Sequence, residues 1–266
     1  MCIFSTFVSE IITINFLTTH LYFFSCKMKN SVELMNKAAD NIRILSAAMV
    51  ENAHSGHPGG AMGGADFINV LFSEYLVYDP QNPHWETRDR FYLDPGHMSA
   101  MLYSQLALTG KFTIEELKAF RKWGSVTPGH PELCVERGIE NSSGPLGQGH
   151  CYAVGAAIAA KFLAAHLGND SFNKEKIYTY ISDGGIQEEI SQGAGRVAGF
   201  LKLNNLVMFY DSNDIQLSTE CDSVSDENTA MKYRAWNWNV ITIDGNDVNQ
   251  IRKALDNAIA EQERPT

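Results

Sequence analysis

The chain has 266 residues, of which 44% are hydrophobic and 20% charged, with 21 glycines and 8 prolines. This composition excludes a disordered tail, a collagen-like rod and a small disulfide-stapled protein, and the length is sufficient for a full hydrophobic core. The 21 basic and 31 acidic residues give a net charge of −10, which repels phosphate backbones and argues against a nucleic-acid-binding protein.

The cysteines indicate the compartment. There are five, widely spaced, without a Cys-x-x-Cys pair. An odd number of scattered cysteines does not make a disulfide framework, so we expect a reducing environment, the cytoplasm.

Residues 1–27 differ from the rest of the chain. They are apolar but interspersed with Ser, Thr and Asn, and they lack the basic start of a signal peptide. The uncharged stretch 11–26 is shorter than the roughly 20 residues that a membrane helix needs. We predict that residues 1–27 are upstream sequence before a true start at Met28, with a membrane anchor as the alternative. The domain is then 28–266, with no membrane partner.

The first half of this domain is predicted to be mainly helical. Apolar residues at three- and four-residue steps over 31–53 predict an amphipathic helix capped by Ser31. A Thr-x-x-Glu capping box predicts a helix over 113–123. The loop 124–149 is rich in Gly, Pro, Ser and His, and loops of this length tend to be functional. The other expected elements are helices at 62–75 and 95–108 and a strand at 90–93.

The second half alternates strands with helices. Strands are predicted at 176–182, 205–210 and 239–243, and helices at 148–167, 186–200 and 248–261. Strands that are apolar along their length and separated by helices indicate an α/β fold, a parallel sheet flanked by helices on both faces. Ligands bind such sheets beyond the carboxyl ends of the strands, so we expect functional residues just after 182 and 210.

Polar residues stand at both of these places. Asp183-Gly184-Gly185 follows one strand, and Asn213 lies 30 residues further on, after the next. We expect Asp183 and Asn213 to lie side by side, where their oxygens would suit Mg²⁺ or Ca²⁺. The glycines allow close approach of a ligand, and the start of the following helix favours an anion. The alternative is that Asp183 caps a helix and Asn213 is a turn residue.

His57, His97 and His130 each directly follow a glycine. Stiff Gly and Pro turns that hold imidazoles in place suit proton transfer to sugar or phosphate oxygens. Two alternatives remain: each is an ordinary surface or core histidine, or His54 and His57 bind zinc.

The segment 142–149, Ser-Ser-Gly-Pro-Leu-Gly-Gln-Gly, is a glycine-rich loop that leads into a helix. It lacks the Lys and Ser/Thr of a Walker phosphate-binding loop, which disfavours a nucleotide triphosphatase. By itself it is a weak signal.

Together these residues resemble a known family. The motifs SGHPGG, DRFYLDPGH, TPGHPE, GPLGQG, SDGGIQEE and YDSN follow one another in the chain, and this order resembles the amino-terminal, thiamine diphosphate-binding domain of the transketolases. The resemblance runs from Asn30 to Thr266. It implies the thiamine diphosphate-binding fold, here without its last strand or strands. It also implies transfer of a two-carbon ketol unit between ketose and aldose phosphates in the pentose phosphate pathway.

The resemblance assigns roles to particular residues. It implies that Mg²⁺ (or Ca²⁺) is held by Asp183, Asn213 and the carbonyl of Ile215. It implies that thiamine diphosphate contacts His97, Gly144, Leu146, Asp183, Gly184, Glu188 and Asn213. It implies that the sugar phosphate channel is lined by His57, His97 and His130, and that Glu188 couples two active sites across a dimer interface. The chain departs from the family at Ser182, where Gly is usual, and at Asp214, where Lys is common.

The resemblance covers only part of a transketolase. The family has a second domain, which activates the cofactor through a glutamate, and a third domain. We therefore expect the isolated chain to be inactive, as a shortened reading frame or, less favoured, as one half of a two-chain enzyme. The expected assembly is a homodimer in the full enzyme, or a C-terminal transketolase half as partner chain. The alternatives are an enzyme similar to deoxyxylulose phosphate synthase and a non-catalytic dimerising fragment.

Overall fold

The computed structural model of the chain describes residues 29–216 and 219–266. The predicted extension, residues 1–27, lies outside the described residues. The α-helices are α1 (Val32–Ala53), α2 (Pro58–Gly63), α3 (Ala65–Val70), α4 (Ser99–Leu108), α5 (Ile114–Lys118), α6 (Gln148–Leu167), α7 (Ser171–Lys174), α8 (Asp183–Gln187), α9 (Glu189–Phe200), α10 (Thr229–Ala235) and α11 (Val248–Ala260). The strands are β1 (Arg90–Leu93), β2 (Ile177–Ser182), β3 (Leu206–Asp211), β4 (Ile215–Gln216) and β5 (Thr219–Glu220).

The principal sheet is parallel, with the strand order β1-β2-β3. Arg90 lies opposite Ile177, and Ile177 lies opposite Leu206, so the three strands begin level with one another. At the other end Ser182 lies opposite Asp211. The carboxyl ends of β2 and β3 therefore meet at one edge of the sheet.

Helices cover both faces of this sheet, as predicted. Alternate strand residues enter different hydrophobic clusters, because successive side chains of a strand point to opposite faces. Tyr178 and Tyr180 pack in a cluster with α1, α4 and α11, whereas Ile177 and Ile181 pack with α6 and α9. The prediction of a doubly covered α/β sheet is confirmed.

The predicted caps of two helices are also confirmed. The Ser31 hydroxyl accepts a hydrogen bond from the Leu34 N–H at 3.2 Å. Thr113 and Glu116 form the reciprocal capping box at the start of α5. That helix ends at Lys118 rather than at residue 123, and Arg121 has a φ of 61°, a left-handed conformation that an α-helix cannot continue through.

Two other helices differ from the predicted ranges. The helix expected at 62–75 begins four residues earlier, at Pro58, whose fixed φ suits the first turn of a helix. It is interrupted at Gly64 and ends in a π-helical turn, Leu71–Tyr75. The helix expected at 186–200 already starts at Asp183 and is broken by the extended residue Glu188.

The predicted strand at 239–243 is wrong. The position beside β3 is taken by the last two residues: Thr266 N–H donates to Leu206 at 3.2 Å, and Met208 N–H donates to Thr266 at 2.8 Å. The 239–243 segment lies on the far side of residues 265–266 from β3. It makes one backbone hydrogen bond to them, from the Asn239 N–H to the Pro265 carbonyl at 2.8 Å. One bond does not make a ladder, so the segment stays irregular.

Within the described part of the chain, α6 is the one helix that is long and apolar enough to cross a membrane. Its buried residues pack against β1 and β2 and against α9. This is how core helices of α/β domains pack, and length and composition alone are weak indications of a membrane span.

Two glycines of α9 give a test of the packing between this helix and the segment after α10. A methyl group at Gly199 would lie 1.7 Å from the Trp236 carbonyl oxygen, whereas one at Gly193 has no neighbour within 4 Å. We expect Gly199→Ala to lower the free energy of unfolding by about 1–3 kcal/mol or to prevent folding. We expect Gly193→Ala to raise it by about 0.5–1 kcal/mol, because alanine is the better helix former. Urea unfolding measures both, and equal effects would contradict this packing.

Candidate active site at the carboxyl edge of the sheet

Asp183 lies between the ends of β2 and β3. It is 3% exposed, and its Oδ2 accepts hydrogen bonds from the Asn213 and Asp214 N–H groups, each at 3.0 Å. The Tyr210 hydroxyl donates to its Oδ1. Asp183 and Asn213 are thus side by side, as predicted, and Asp183 is the first residue of α8 rather than its cap. Their role as metal ligands stays a prediction.

The donor groups at this edge fit a hard divalent cation. The Asp183 carboxylate, the Asn213 amide oxygen and the backbone carbonyl of Ile215 are all oxygens, the ligands that Mg²⁺ and Ca²⁺ prefer. The Asn213 side chain is exposed, and its Oδ1 accepts from the Ile215 N–H at 3.1 Å, which folds the residue after Asp214 back towards the site. In the described residues no cluster of three or more His, Cys, Asp or Glu side chains could hold a metal, so the zinc alternative at His54 and His57 gains no support.

Acidic groups surround Asp183. Burial raises the pKa of the Asp211 carboxyl, hydrogen bonds from Tyr180 and Asn213 oppose this, and the charge of Asp183 raises it further. Burial, followed by the charge of Asp183, also raises the pKa of the Cys221 thiol. A cation at this edge would counter the part of both shifts that comes from the charge of Asp183.

The glycine-rich loop meets this edge through Leu146. A methyl group at Gly184 would lie 3.0 Å from Leu146 Cδ1. Gly147 has a φ of 84°, and a methyl group there would lie 2.9 Å from Glu188 Cβ. The loop therefore lies directly against the turn that follows Asp183, close enough for one ligand to contact both.

The three predicted histidines form a second group. The rings of His57 and His97 make an edge-to-face contact with centroids 5.0 Å apart. A methyl group at Gly144 would lie 3.9 Å from the His130 ring, so the glycine-rich loop reaches the histidines near its start and the turn after Asp183 near its end. His97 is half-buried, whereas His57 and His130 are exposed.

Neighbouring positive charges oppose the protonation of His97 and His130. Burial lowers the pKa of His97 to about 4, and the charges of His57, His130 and Arg121 add to this. Burial and then the charge of Arg121 also lower the pKa of His130. His97 is therefore neutral near pH 7 and can both accept and donate a hydrogen bond.

A separate cavity of about 650 Å³ lies along the outer edge of β3. It borders Asp183 and Asp211 and extends between β3, the 239–245 segment and α11, and none of the three histidines lines it. It is therefore not the channel that the histidines were predicted to line.

Sequence reasoning missed three residues of this region. Tyr210 and Arg121 act only through contacts with residues far away in sequence. Asp94 directly follows β1, as Asp183 follows β2, and the rule about carboxyl ends of strands would have singled it out.

Comparison with known proteins agrees with these observations. The family model described as "Transketolase, thiamine diphosphate binding domain" matches residues 34–266. The chain belongs to the transketolase family. The Bacillus subtilis transketolase is 44% identical over 234 residues, which are 86% of this chain and 35% of that protein. The Geobacillus stearothermophilus transketolase is 44% identical over 243 residues, 90% of this chain and 36% of that protein.

Solved transketolase structures share the fold. The Campylobacter jejuni enzyme matches with a TM-score of 0.84 and 42% identity over 89% of this chain and 37% of that one. The Leishmania mexicana transketolase matches with a TM-score of 0.82 and 39% identity over 87% of this chain and 35% of that one. The chain thus spans about a third of the length of these relatives, and the matched region is the thiamine diphosphate-binding domain of a transketolase.

The low pKa of His97 predicts a pH dependence of stability. In the unfolded chain His97 takes up a proton as the pH falls below its ordinary pKa of 6.5. In the folded chain it does so only near pH 4. The free energy of unfolding should therefore fall as the pH is lowered from about 6.5 to about 4. An NMR titration should give a His97 midpoint near 4, and His97→Gln should make the fall in stability shallower. A midpoint of 6.5 or above would contradict the burial of this ring.

Proposed function

We propose that this chain supplies the part of a transketolase active site that holds the cofactor's diphosphate and its metal ion. Asp183, Asn213 and the carbonyl of Ile215 would bind Mg²⁺ (or Ca²⁺), with Gly184 and Leu146 against the cofactor. The observation that supports this best is the contact of Asp183 with the residues after β3, beside the Gly184–Leu146 contact, in a chain of this family. The reaction would be transfer of a two-carbon ketol unit from a ketose phosphate to an aldose phosphate.

The chain's own residues have separate tasks in this proposal. Thiamine diphosphate, when bound, supplies the carbon nucleophile and the electron sink. Neutral His97 accepts or donates a proton at a sugar hydroxyl, and the exposed rings of His57 and His130 bind hydroxyl groups beside it. The carboxyl group of buried Asp183 is held in place by the two backbone N–H groups and the Tyr210 hydroxyl, and its oxygens would bind the cation.

We also propose that the ketol transfer needs residues beyond this chain, which spans about 35% of its relatives. A C-terminal transketolase half as partner chain would supply them, and the full enzyme would be a homodimer. Large apolar side chains exposed on α6 and α9 support a protein partner, among them Phe162 at 62% and Phe200 at 85% exposure. Glu188 is exposed at the start of the same surface. Free Cys134, Cys151 and Cys221 support a cytoplasmic location.

The metal assignment is tested by calorimetric titration of the chain with thiamine diphosphate and Mg²⁺. Asp183→Asn removes the negative charge of a direct ligand, not of a supporting group, and should therefore weaken binding by at least about 100-fold. Asp214→Asn is the matched control, because it removes a neighbouring exposed charge and asparagine tolerates the φ of 62° at this position. Equal binding by both variants, or undiminished binding in EDTA, would refute the assignment.

The need for a partner is tested by an activity assay. With xylulose 5-phosphate, ribose 5-phosphate, thiamine diphosphate and Mg²⁺, the purified chain alone should form no sedoheptulose 7-phosphate, because it holds one part of the site. Chromatographic detection of the product above a chain-free blank would overturn this prediction, provided that Asp183→Asn abolishes it.

A further inference from the structure

A buried carboxyl group stands at the end of β1, outside the residues assigned above. Asp94 is 0% exposed. Among the described residues, the groups that donate to it are backbone N–H groups: Gly147 to Oδ1 at 3.1 Å, His150 to Oδ2 at 3.3 Å, and Gly149. Burial raises the pKa of this carboxyl and the three N–H bonds oppose the rise.

These donors belong to the first turn of α6. The first N–H groups of a helix have no partner within the helix, and a side chain at the cap normally accepts from them. The cap of α6 is Gly147, which has no side chain. Asp94, 53 residues earlier in the chain, supplies the missing acceptor. The start of α6 is thus fixed to the end of β1.

The same carboxyl group also touches the turn after Asp183. A methyl group at Gly185 would lie 2.5 Å from Asp94 Oδ1, and one at Gly149 would lie 2.5 Å from Asp94 Cα. Both glycines are needed for this close approach. Asp94 therefore packs between the loop that contains Leu146 and the turn that contains Gly184.

We propose that Asp94 is a positioning residue that holds the 144–150 segment against the 183–185 turn. The cofactor would bind between Leu146 and Gly184. The distance between these two residues then depends on the Asp94 carboxylate. Its consequence for cofactor binding rests on the proposed function, whereas its role in holding the segment does not.

The chain offers a matched control in Asp89, at the other end of β1. Asp89 is 5% exposed, and it accepts backbone N–H bonds from Val77 at 2.9 Å and Lys176 at 2.7 Å. Burial raises its pKa to about 6. The two aspartates flank the same strand, are both buried and both accept backbone N–H groups. Only Asp94 lies at the proposed cofactor site.

Amide hydrogen exchange of the whole chain, without cofactor, tests the role of Asp94. In Asp94→Asn an amide NH₂ would replace one carboxylate oxygen and face the donors on that side, and the oxygen that remains for the other donors would carry no charge. Exchange at Gly147, Gly149 and His150 should quicken by at least about tenfold relative to amides of α11, as expected for losing a hydrogen bond to a charged acceptor. Asp89→Asn should leave those three amides unchanged relative to α11. If Asp94→Asn does not fold, Asp94→Ser replaces it, with the same expectation.

The same variants are then titrated with thiamine diphosphate and Mg²⁺. Asp94→Asn should bind about tenfold more weakly or worse, and Asp89→Asn within about twofold of the unmodified chain. Unchanged exchange at the three amides, or the same pattern in both variants, overturns the positioning role. If the unmodified chain itself binds no cofactor, the proposed function fails, while the exchange data still decide the role of Asp94.

Discussion

The parallel pairing of β2 with β3 is the constraint on which the site depends. Ser182 at the end of β2 lies opposite Asp211 at the end of β3. Asp183, the residue after β2, therefore reaches the backbone N–H groups that follow β3. A slip of one residue would send every side chain of a strand to the opposite face, and the site residues with them. This register is fixed by Tyr180 and Ile181, which enter different hydrophobic clusters.

The charge distribution around Asp183 favours a cation at the proposed site. A chain of net charge −10 attracts no phosphate through its overall field. Asp211 and Asp214 add negative charge next to Asp183, so a diphosphate approaching this edge alone would be repelled. A divalent ion is the largest charge that a site of this kind can hold, and it reverses the sign of the interaction.

The sequence predicted the parts of the molecule that local pattern determines. The capped helix α1, the strands β1, β2 and β3 and the adjacency of Asp183 with Asn213 follow from periodicity, capping residues and the rule about strand ends. The 239–243 segment has the composition of a strand, but a segment becomes a strand only when it pairs with a neighbouring strand. The position beside β3 is occupied by Pro265 and Thr266 instead. The arrangement of the histidines and the contact of Asp94 with Gly147 depend on how loops and helix ends pack in the folded chain. Neither periodicity, nor capping residues, nor the pairing of neighbouring strand ends determines such contacts.

The pairing of the last two residues with β3 has a practical consequence. Within the described part of the chain, the outer edge of β3 is bonded at the Leu206 carbonyl and the Met208 N–H, and no backbone partner reaches it at Tyr210. An open strand edge beside apolar side chains is a template for pairing with another molecule. We therefore expect edge-to-edge pairing at high concentration where the Tyr210 end of β3 is uncovered, and we expect a lysine or proline introduced there to oppose it.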